Sequence, residues 1–287
     1  MKVVRDPEKL NRLLRKLTLG TRSIGFVPTM GALHPGHLSL IKQARRENQI
    51  VVVSIFVNPA QFGPKEDLRK YPRRFKDDLV LCRKAGVDLV FLPQAKVIYP
   101  QGFLTFVNVE KLNAIFCGAS RPGHFRGVVT VVAKLLNIVA PSVLYLGQKD
   151  AQQVVIIKKM IRDLNFPVKV KVMPIVREKN GLAMSSRNLY LNAQAFDSAK
   201  VLWQALRKAK ALIKSGNRDY AGIILKMKKM IQETGSIKVE YISIVDADSL
   251  ALVNQASRRI LVALAVRINK VRLIDNMLVS GCSKLKG

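Results

Sequence analysis

Up to residue 176 the hydrophobic positions fall into short runs rich in β-branched residues, with longer amphipathic stretches between them. The runs are SIGFVPT (23–29), IVVVSIFVN (50–58), VDLVFLP (87–93), SVLYLG (142–147) and VKVKVMPIV (168–176). Such runs predict strands buried on both faces. The intervening stretches that suit helices are 37–48, 76–84, 127–139 and 152–164. This alternation predicts an α/β fold in which helices cover a parallel sheet.

The N-terminal pattern differs from these runs, because charged residues and leucines alternate at helical spacing through residue 19. Asp6 offers an N-cap and Pro7 suits the first helical turn. We therefore expect a helix that follows Asp6.

Beyond Pro174 the pattern changes again. Two amphipathic helices are expected at 193–214 and 220–233, followed by strand-like runs at 238–247, 260–268 and 271–275. The chain of 287 residues is long for one compact core, so two domains are expected. We predict an α/β domain over 1–174 and a smaller C-terminal α+β domain over 175–287.

Charge is the most unusual feature of the composition: 49 Lys and Arg against 19 Asp and Glu give a formal charge of +30. Such a charge suggests a nucleic-acid-binding protein. The basic residues are nevertheless spread along the chain at helical spacing, with no basic tail and no aromatic RNA-binding run. We therefore favour solvated surfaces and expect no specific nucleic-acid partner.

The cysteines and the apolar runs indicate in which cellular compartment the protein is expected. Cys82, Cys117 and Cys282 are odd in number and lack CxxC spacing, which favours reduced thiols over disulfides or a zinc site. The longest apolar run, at 128–140, contains Lys134 and Asn137, and no transmembrane span is expected. A soluble cytoplasmic protein without a membrane partner is the prediction.

Polar residues that suit a binding site follow four of the predicted strands. They are Met30 and His34 to His37, then Asn58 and Gln61, then Gln148 to Asp150, and finally Arg177. Ligands of parallel α/β sheets bind beyond the carboxyl ends of the strands. The sequence therefore predicts a site at this edge of the sheet.

Two of the three histidines lie in the segment PTMGALHPGH, where a predicted strand gives way to a helix. Pro35 suits the first helical turn, and Gly36 allows a ligand to approach the backbone. At a helix N-terminus, His34 and His37 can donate hydrogen bonds to phosphate oxygens. The alternative is that local backbone groups satisfy both rings. A zinc site is disfavoured because HxxH lacks the spacing of HExxH and a third ligand.

Two further loops carry candidate residues. In SRPGHFRG, Arg121, His124 and Arg126 form a cationic loop suited to carboxylate or phosphate, although a structural turn has the same sequence pattern. GLAMSSRN (181–188) offers two hydroxyls and Arg187 in a segment able to close over a nucleotide. An ordinary helix-entry loop has the same composition.

Together these segments resemble one known family. VPTMGALHPGH, VSIFVNPAQF, RPGHFRGVVTVVAKL, GQKDAQQ, VREKNGLAMSSRN and IVDADSL are similar, in the same order, to motifs of the pantoate–β-alanine ligases. That family belongs to the nucleotidyltransferases with a HIGH-type histidine motif, which here is His34 to His37. MSSRN occupies the place of their mobile KMSKS-type loop. The implied fold is a Rossmann-like parallel sheet with helices on both faces and a smaller second domain.

The resemblance implies an ATP-dependent reaction in two steps. ATP and (R)-pantoate form pantoyl adenylate and pyrophosphate, and β-alanine then attacks to give pantothenate and AMP. ATP is a substrate, and Mg²⁺ is expected to be bound mainly through its phosphates rather than by a protein metal site. Asp77 and Asp78 are candidates only for outer-shell partners of that ion. The family also suggests a homodimer.

The resemblance also assigns residues. The implied catalytic residues are His37, as a proton donor, His34, Lys149 and Arg187. The implied ATP-binding residues are Met30, Gly31, Ala32, Leu33, His34, Pro35, Gly36, His37, Gly147, Gln148, Lys149, Asp150, Val176, Met184, Ser185, Ser186 and Arg187. The implied residues for pantoate and β-alanine are Gln61, Gln153, Asn58 and Arg121.

One position departs from the family pattern. Gln148 stands where the family usually has glutamate, next to Lys149, and slower turnover is one expected effect.

The nearest rival function is another nucleotidyltransferase, which would release pyrophosphate without AMP. A truncated tRNA synthetase is disfavoured because no tRNA-binding appendage is apparent.

Overall fold

The computed structural model describes residues 1–18, 22–64, 66–235, 237–254 and 257–280. They form two compact units: Met1–Gln148 with Ile156–Pro174, and Lys149–Val155 with the described part of Ile175–Gly287. Lys149–Val155 thus groups with the second unit, whereas the sequence placed it in the first domain. The functional boundary after residue 174 stays a prediction. Leu19 and Cys282 lie outside the described residues, whereas Cys82 and Cys117 are buried free thiols.

Within the described residues of the first unit, six strands form one parallel sheet. They are β1 (Lys2–Val4), β2 (Ile24–Thr29), β3 (Ile50–Ile55), β4 (Leu89–Phe91), β5 (Val143–Gly147) and β6 (Lys169–Met173). All pairings are parallel, and the spatial order is β1-β4-β3-β2-β5-β6. The predicted parallel sheet is confirmed. The sequence pattern missed β1, because three residues are too short to show an alternation.

Helices connect these strands. They are α1 (Pro7–Leu17), α2 (Pro35–Glu47), α3 (Phe75–Lys84), α4 (Ala95–Ile98), α5 (Cys117–Ser120), α6 (His124–Val139) and α7 (Ala151–Asp163). The predicted N-cap of α1 is present, because Asp6 Oδ1 accepts the backbone N–H of Lys9 at 2.7 Å. A proline also occupies the first turn of α1 and of α2, where its missing N–H leaves no helical bond unmade.

Strands β2 to β5 are buried on both faces, as the apolar runs predicted. The prediction was wrong for β6, which has no buried residue because it lies at the edge of the sheet and carries two lysines. On one face, Val27, Val53 and Tyr145 pack with Ile41 of α2 and Cys82 of α3. Side chains of the opposite set, among them Phe26, Val52 and Leu144, are also fully buried. Because successive side chains of a strand point to opposite faces, both faces are covered by other parts of the chain.

The strand order places a topological switch point in the middle of the sheet. The chain runs outward from β2 through β3 to β4 and then returns to β5 on the other side of β2. In open α/β sheets, ligands bind where the order reverses, at the carboxyl ends of the strands. Here those ends are Thr29 of β2 and Gly147 of β5.

The second unit contains α8 (Ala193–Ser198), α9 (Lys200–Lys214), α10 (Tyr220–Gln232), β7 (Ile237–Asp246), β8 (Arg259–Ile268) and β9 (Val271–Ser280). The strands form an antiparallel sheet in the order β7-β8-β9. Leu202, Ile223, Val262 and other apolar residues of α9, α10 and the sheet form its core. The predicted smaller α+β architecture is confirmed.

Two predicted elements of this unit have different bounds. The helix expected at 193–214 is divided at Ala199 into α8 and α9. The last strand does not end at Asp275 but continues to Ser280. Asp and Asn are typical turn residues, so their sequence predicted a strand end, yet Asp275 and Asn276 are both buried within β9.

Candidate active site

The loop between β2 and α2 has an unusual backbone that other residues hold in place. Gly31 and Ala32 both have positive φ, at 86° and 51°. The Thr29 hydroxyl accepts the N–H of Gly31 at 3.2 Å. Asp78 of α3 accepts the N–H groups of Ala32 at 3.0 Å and Leu33 at 2.7 Å. These bonds fix the path by which the chain enters α2.

Asp78 is almost fully buried, and burial raises the pKa of its carboxyl group although the N–H groups of Leu33 and Ala32 stabilise the charged form. Its two oxygens are engaged in anchoring the loop. The sequence pattern did not predict this anchoring role, since Asp78 was a candidate only for an outer contact of Mg²⁺. The sequence signal of Asp78 was weak, because an acidic residue in the first turn of a helix is also common where that helix start is exposed to solvent.

His34 and His37 cap α2 reciprocally. His34 Nδ1 accepts the N–H of Gly36 at 3.2 Å, and His37 Nδ1 accepts the N–H of His34 at 3.4 Å. The two rings lie with their centroids 4.0 Å apart. Because each Nδ1 accepts a bond, a neutral ring carries its proton on Nε2. Local backbone thus satisfies one nitrogen of each ring and determines that the other is a donor.

Asn58 and Gln61 follow β3 in a short 3₁₀ turn, Pro59–Gln61. Asn58 Nδ2 donates to Gln61 Oε1 at 3.0 Å and to the Gly127 carbonyl at 3.1 Å. Asn58 Oδ1 accepts bonds from the Tyr99 hydroxyl at 2.8 Å and the Ala60 N–H at 3.2 Å. These four bonds use the full capacity of the amide. Asn58 therefore orients Gln61 here.

Gln61 lies close to the loop that precedes α2. Its Nε2 is 3.1 Å from the sulfur of Met30. On the other side, Gly127 of α6 packs against the 3₁₀ turn, and a Cβ at Gly127 would lie 2.2 Å from the Ala60 carbonyl oxygen. The close approach requires glycine at this position.

Arg121 and His124 belong to one internal network. Arg121 makes two 2.6 Å bonds to the carboxylate of Glu66. His124 Nδ1 lies 2.8 Å from the Gln61 carbonyl oxygen, so this nitrogen donates and Nε2 accepts from Arg121 at 2.9 Å. Burial raises the pKa of Glu66, but Arg121, together with His124 and a backbone bond from Gly63, lowers the pKa below its usual value. Arg121 thus contacts a carboxylate of its own chain, and its role toward substrate stays a prediction.

In the second unit, the predicted phosphate-binding lysine lies in a 3₁₀ turn, Gln148–Asp150, that leads into α7. Lys149 Nζ is 3.8 Å from Asp150 Oδ1. The Lys149 carbonyl accepts a bond from Asn276 Nδ2 of β9 at 2.9 Å. Gln153, predicted to bind pantoate, lies partly buried in the first turn of α7.

The GLAMSSRN loop is held by a hairpin-like pairing. Met184 N–H donates to the Val176 carbonyl at 3.0 Å, and Arg177 pairs with Ala183. Ser185 Oγ accepts the N–H of Arg187 at 3.3 Å and starts another 3₁₀ turn, Ser186–Tyr190. This arrangement brings the predicted ATP contacts Val176 and Met184 to Arg187 together.

Arg177, which precedes this loop, forms an ion pair with Asp275 that the sequence pattern did not predict. Arg177 donates to Asp275 in bidentate fashion, at 2.6 Å and 3.0 Å. Its guanidinium carbon lies 3.7 Å from the ring centroid of Trp203, and it also donates to the Gly181 carbonyl at 2.9 Å. Burial raises the pKa of the Asp275 carboxyl, and Arg177 offsets only part of that effect.

The predicted site residues therefore form one group in each unit. The first unit brings together the loop from Met30 to His37 and Gln61, with Asn58 and Arg121 in supporting contacts. The second unit brings together the Lys149 turn and the loop from Val176 to Arg187. In the first unit, Gly147 is the last residue of β5 and Gln148 is the first residue of that turn. The individual roles assigned to these residues stay predictions.

The fold is that of a Rossmann-like α/β protein, a class in which nucleotides bind at the carboxyl ends of the parallel strands. A sequence model of the pantoate–β-alanine ligase family matches residues 2–278. The chain belongs to this family, and it is a ligase, as the resemblance implied.

Relatives match along nearly the whole chain. The pantothenate synthetase of Thermosipho africanus is 50% identical over 97% of this chain and 100% of its own length. That of Caldicellulosiruptor bescii is 49% identical over 97% of this chain and 99% of its own. The crystal structure of the Thermus thermophilus enzyme superposes with a TM-score of 0.91 at 42% identity, covering 96% of this chain and 99% of that one.

A further solved structure, pantoate–β-alanine ligase from Francisella tularensis, is described as complexed with β-γ ATP and β-alanine. It covers 97% of each chain at 38% identity with a TM-score of 0.80. In the parts of this chain that the structure describes, every helix is too short or too polar to cross a bilayer.

Proposed function

We propose that this chain condenses (R)-pantoate with β-alanine at the expense of ATP, through a pantoyl adenylate, and releases AMP and pyrophosphate. The observation that carries the proposal is the pair of histidines at the start of α2, in a chain that belongs to the pantoate–β-alanine ligase family. Each ring accepts a backbone bond at Nδ1, so Nε2 donates. Two such donors at a helix N-terminus suit the phosphates of ATP.

In the first step, a carboxylate oxygen of pantoate attacks the α-phosphorus of ATP and pyrophosphate leaves. The barrier is electrostatic, because two anions approach each other and negative charge develops on the departing phosphate. His34 and His37 donate from Nε2 to phosphate oxygens, and the N-terminal dipole of α2 stabilises the same charge. His37 is the proton donor of the pair.

Gln61 and Gln153 hold pantoate by hydrogen bonds to its oxygens. Asn58 supports this indirectly, because its Nδ2 already engages Gln61 Oε1 and leaves Gln61 Nε2 as the donor available on that amide. Orientation of this kind converts an encounter between reactants into a reaction within one complex. Arg121 contributes positive charge near the phosphate path.

We assign further nucleotide contacts to the second group of residues. Lys149 neutralises phosphate oxygens, Asp150 binds the ribose, and Gly147 and Gln148 line the same segment. Val176 and the loop from Met184 to Arg187 complete the nucleotide contacts. Arg187 has a planar guanidinium that suits a phosphate better than a point charge does.

In the second step, the amine of β-alanine attacks the acyl carbon of pantoyl adenylate. The bond between the acyl carbon and the bridging phosphate oxygen breaks, AMP leaves with the electron pair of that bond, and the amine nitrogen loses its proton. Water must be excluded, because hydrolysis of the mixed anhydride would waste ATP. The loop at 181–188 is the segment that serves this purpose.

ATP enters as its Mg²⁺ complex. In the described parts of the chain, no three His, Cys, Asp or Glu side chains lie together as a ligand set. The phosphate oxygens of the nucleotide are hard ligands that suit Mg²⁺ and leave it only a few protein contacts to make. Bound with the nucleotide, Mg²⁺ would supply positive charge that neutralises the phosphate oxygens.

The test is a coupled AMP assay with purified protein, ATP, Mg²⁺, pantoate and β-alanine, in which each component is omitted in turn. AMP formation that needs both pantoate and β-alanine supports the proposal. Pyrophosphate release without AMP would instead favour a nucleotidyltransferase that keeps the nucleotidyl group on its product. Folded protein that forms neither product would refute both assignments.

Two broader proposals follow from the family. The enzyme acts in the cytoplasm, which agrees with the free thiols of Cys82 and Cys117. It also works as a homodimer. Sedimentation at micromolar concentration would test the dimer, and a single species of 32.0 kDa would refute it.

A further inference from the structure

Asp275 and Asn276 are consecutive residues of β9, and both are buried although both are polar. Successive side chains of a strand point to opposite faces. Asp275 lies in the alternation of Leu273 and Met277, which belong to the apolar core of this unit. Asn276 belongs to the opposite set of positions. The two side chains therefore serve contacts on different faces of the same strand.

On the core side, Asp275 binds Arg177. The guanidinium also donates to the Gly181 carbonyl, and its carbon lies 3.7 Å from the centroid of the Trp203 ring. Gly181 itself packs so closely that a Cβ there would lie 2.3 Å from Trp203. Asp275 thus holds Arg177, and Arg177 in turn holds Gly181 in the turn that precedes Met184 to Arg187.

On the other side, Asn276 Nδ2 donates to the carbonyl of Lys149 at 2.9 Å. The strand therefore bonds two nucleotide-binding segments through neighbouring residues. Rotation or sliding of either segment past β9 would break one of these bonds. The positions of the Lys149 turn and the 176–187 loop therefore both depend on two adjacent residues of one strand.

The energetic cost of this arrangement argues that it has a purpose other than stability. A buried ion pair carries a desolvation penalty that its attraction often fails to recover, and apolar residues of similar size are often as stabilising. Asp275 interrupts a strand face that is otherwise apolar. Bidentate bonding does, however, define orientation more strictly than apolar contact does.

We propose that Asp275 and Asn276 are a positioning pair for adenylation: Asn276 places Lys149, and Asp275 places the 176–187 loop through Arg177. This inference rests on the proposed function, which assigns Lys149 and the loop to ATP. Neither Asp275 nor Asn276 touches substrate in this arrangement. Their effect is on geometry, so it falls on the kinetics of the first step more than on folding.

The test for Asn276 is pantoate-dependent exchange of labelled pyrophosphate into ATP. Asn276→Ala is expected to lower kcat of exchange about tenfold while its thermal midpoint stays near that of the wild type. In a Lys149→Ala background the same change should add no further loss, because Asn276 acts through Lys149. Arg272→Ala is the matched control. Arg272 lies on the same strand in the same alternation and pairs with Glu240 outside the site.

The test for Asp275 uses Arg177→Lys, since removing the buried carboxylate itself endangers folding. Lysine keeps the charge but loses the bidentate contact and the stacking on Trp203. We expect an increase in KM for ATP of about tenfold, with KM for β-alanine unchanged. A variant with wild-type kinetics for ATP would overturn this half of the proposal.

Amide hydrogen exchange separates failure of this inference from failure of the proposed function. In Asn276→Ala, amides of residues 148–153 should exchange faster than in the wild type, and in Arg272→Ala they should not. This readout does not depend on activity, so it decides the inference even if the wild type makes no AMP. Unchanged exchange in Asn276→Ala, or kinetic losses that multiply with those of Lys149→Ala, would refute it.

Discussion

The carboxylate of Asp78 accepts the backbone N–H of Leu33, 45 positions earlier in the chain, at 2.7 Å. A second bond, to the N–H of Ala32, makes this one side chain the anchor of the loop that leads into the paired histidines. The loop needs such an anchor because Ala32 has a positive φ, which costs energy for a residue with a Cβ.

Replacing Asp78 by asparagine should therefore misplace the histidine loop. Asparagine offers one acceptor where two are needed and turns an NH₂ group toward a backbone N–H. We expect Asp78→Asn to lower the free energy of unfolding by about 1–3 kcal/mol and to reduce kcat/KM for ATP. Urea denaturation and the AMP assay measure the two effects.

Asp77→Asn is the matched control, since Asp77 is the exposed neighbour of Asp78 in the same helical turn. It removes the same charge without touching the loop. Equal effects of the two substitutions would show that net charge, rather than the two hydrogen bonds, is responsible.

The substitution Gly127→Ala tests the close packing of α6 on the Pro59–Gln61 turn. The added Cβ would meet the Ala60 carbonyl oxygen at 2.2 Å, so the turn must move. Overpacking of this kind costs about 1–3 kcal/mol, and we expect KM for pantoate to rise because Gln61 moves with the turn. Gly63→Ala is the control, since its Cβ would have only ordinary contacts from 3.7 Å. A Gly127→Ala protein of unchanged stability would contradict the packing argument.

Most of the fold was predictable because strand burial is a local property of the sequence. Strands β2 to β5 coincide with largely apolar runs and are buried on both faces, as such runs require. Strand β6 was also predicted, but its two lysines leave it without a buried residue at the edge of the sheet. The element β1 failed this test, because Lys2–Val4 gains its strand structure from pairing with β4 and not from its own pattern.

The candidate site was also only partly predictable from the sequence. Residues that follow strands, such as His34 and Lys149, could be predicted as candidates because ligands of parallel α/β sheets bind at the carboxyl ends of the strands. Asp78, Asp275 and Asn276 could not, because their roles depend on partners far away in sequence. Asp275 also looked like the end of a strand, and only burial against Arg177 shows why a carboxylate is tolerated there.

Arg121 and Glu66 should be energetically coupled. Their side chains are only 10% and 23% exposed and share two short bonds, so removing one partner leaves the other poorly solvated. A double-mutant cycle with Arg121→Ala and Glu66→Ala should give a coupling of about 1–3 kcal/mol. Arg126→Ala serves as the control because Arg126 is an exposed neighbour in the same segment. Additive losses for Arg121 and Glu66 would contradict the prediction.

We expect the carboxyl group of Glu47 to make the free energy of unfolding depend on pH in the acid range. Hydrogen bonds from Lys171 and Tyr145 lower the pKa of Glu47 from 4.5 to about 2. Because the folded pKa lies below the unfolded one, the stabilisation is present above pH 4.5 and is lost as the pH falls toward 2. The free energy of unfolding of the wild type should therefore approach that of Glu47→Gln as the pH is lowered through this window. A constant difference between the two proteins would refute the assignment.

The role of His37 can be separated from its capping contact. His37→Ala removes both the Nε2 donor and the Nδ1 acceptor for the His34 N–H, whereas His37→Asn keeps an acceptor for that N–H. If the ring donates to developing phosphate charge, both variants should lose about 100-fold or more in pyrophosphate exchange, and only His37→Ala should also lose helix stability. Lys149→Ala should show a loss of similar size, and Lys42→Ala, exposed on the same helix as His37, should show none. Full activity in folded His37→Asn would mean that the histidine pair is a cap and that another donor serves the phosphates.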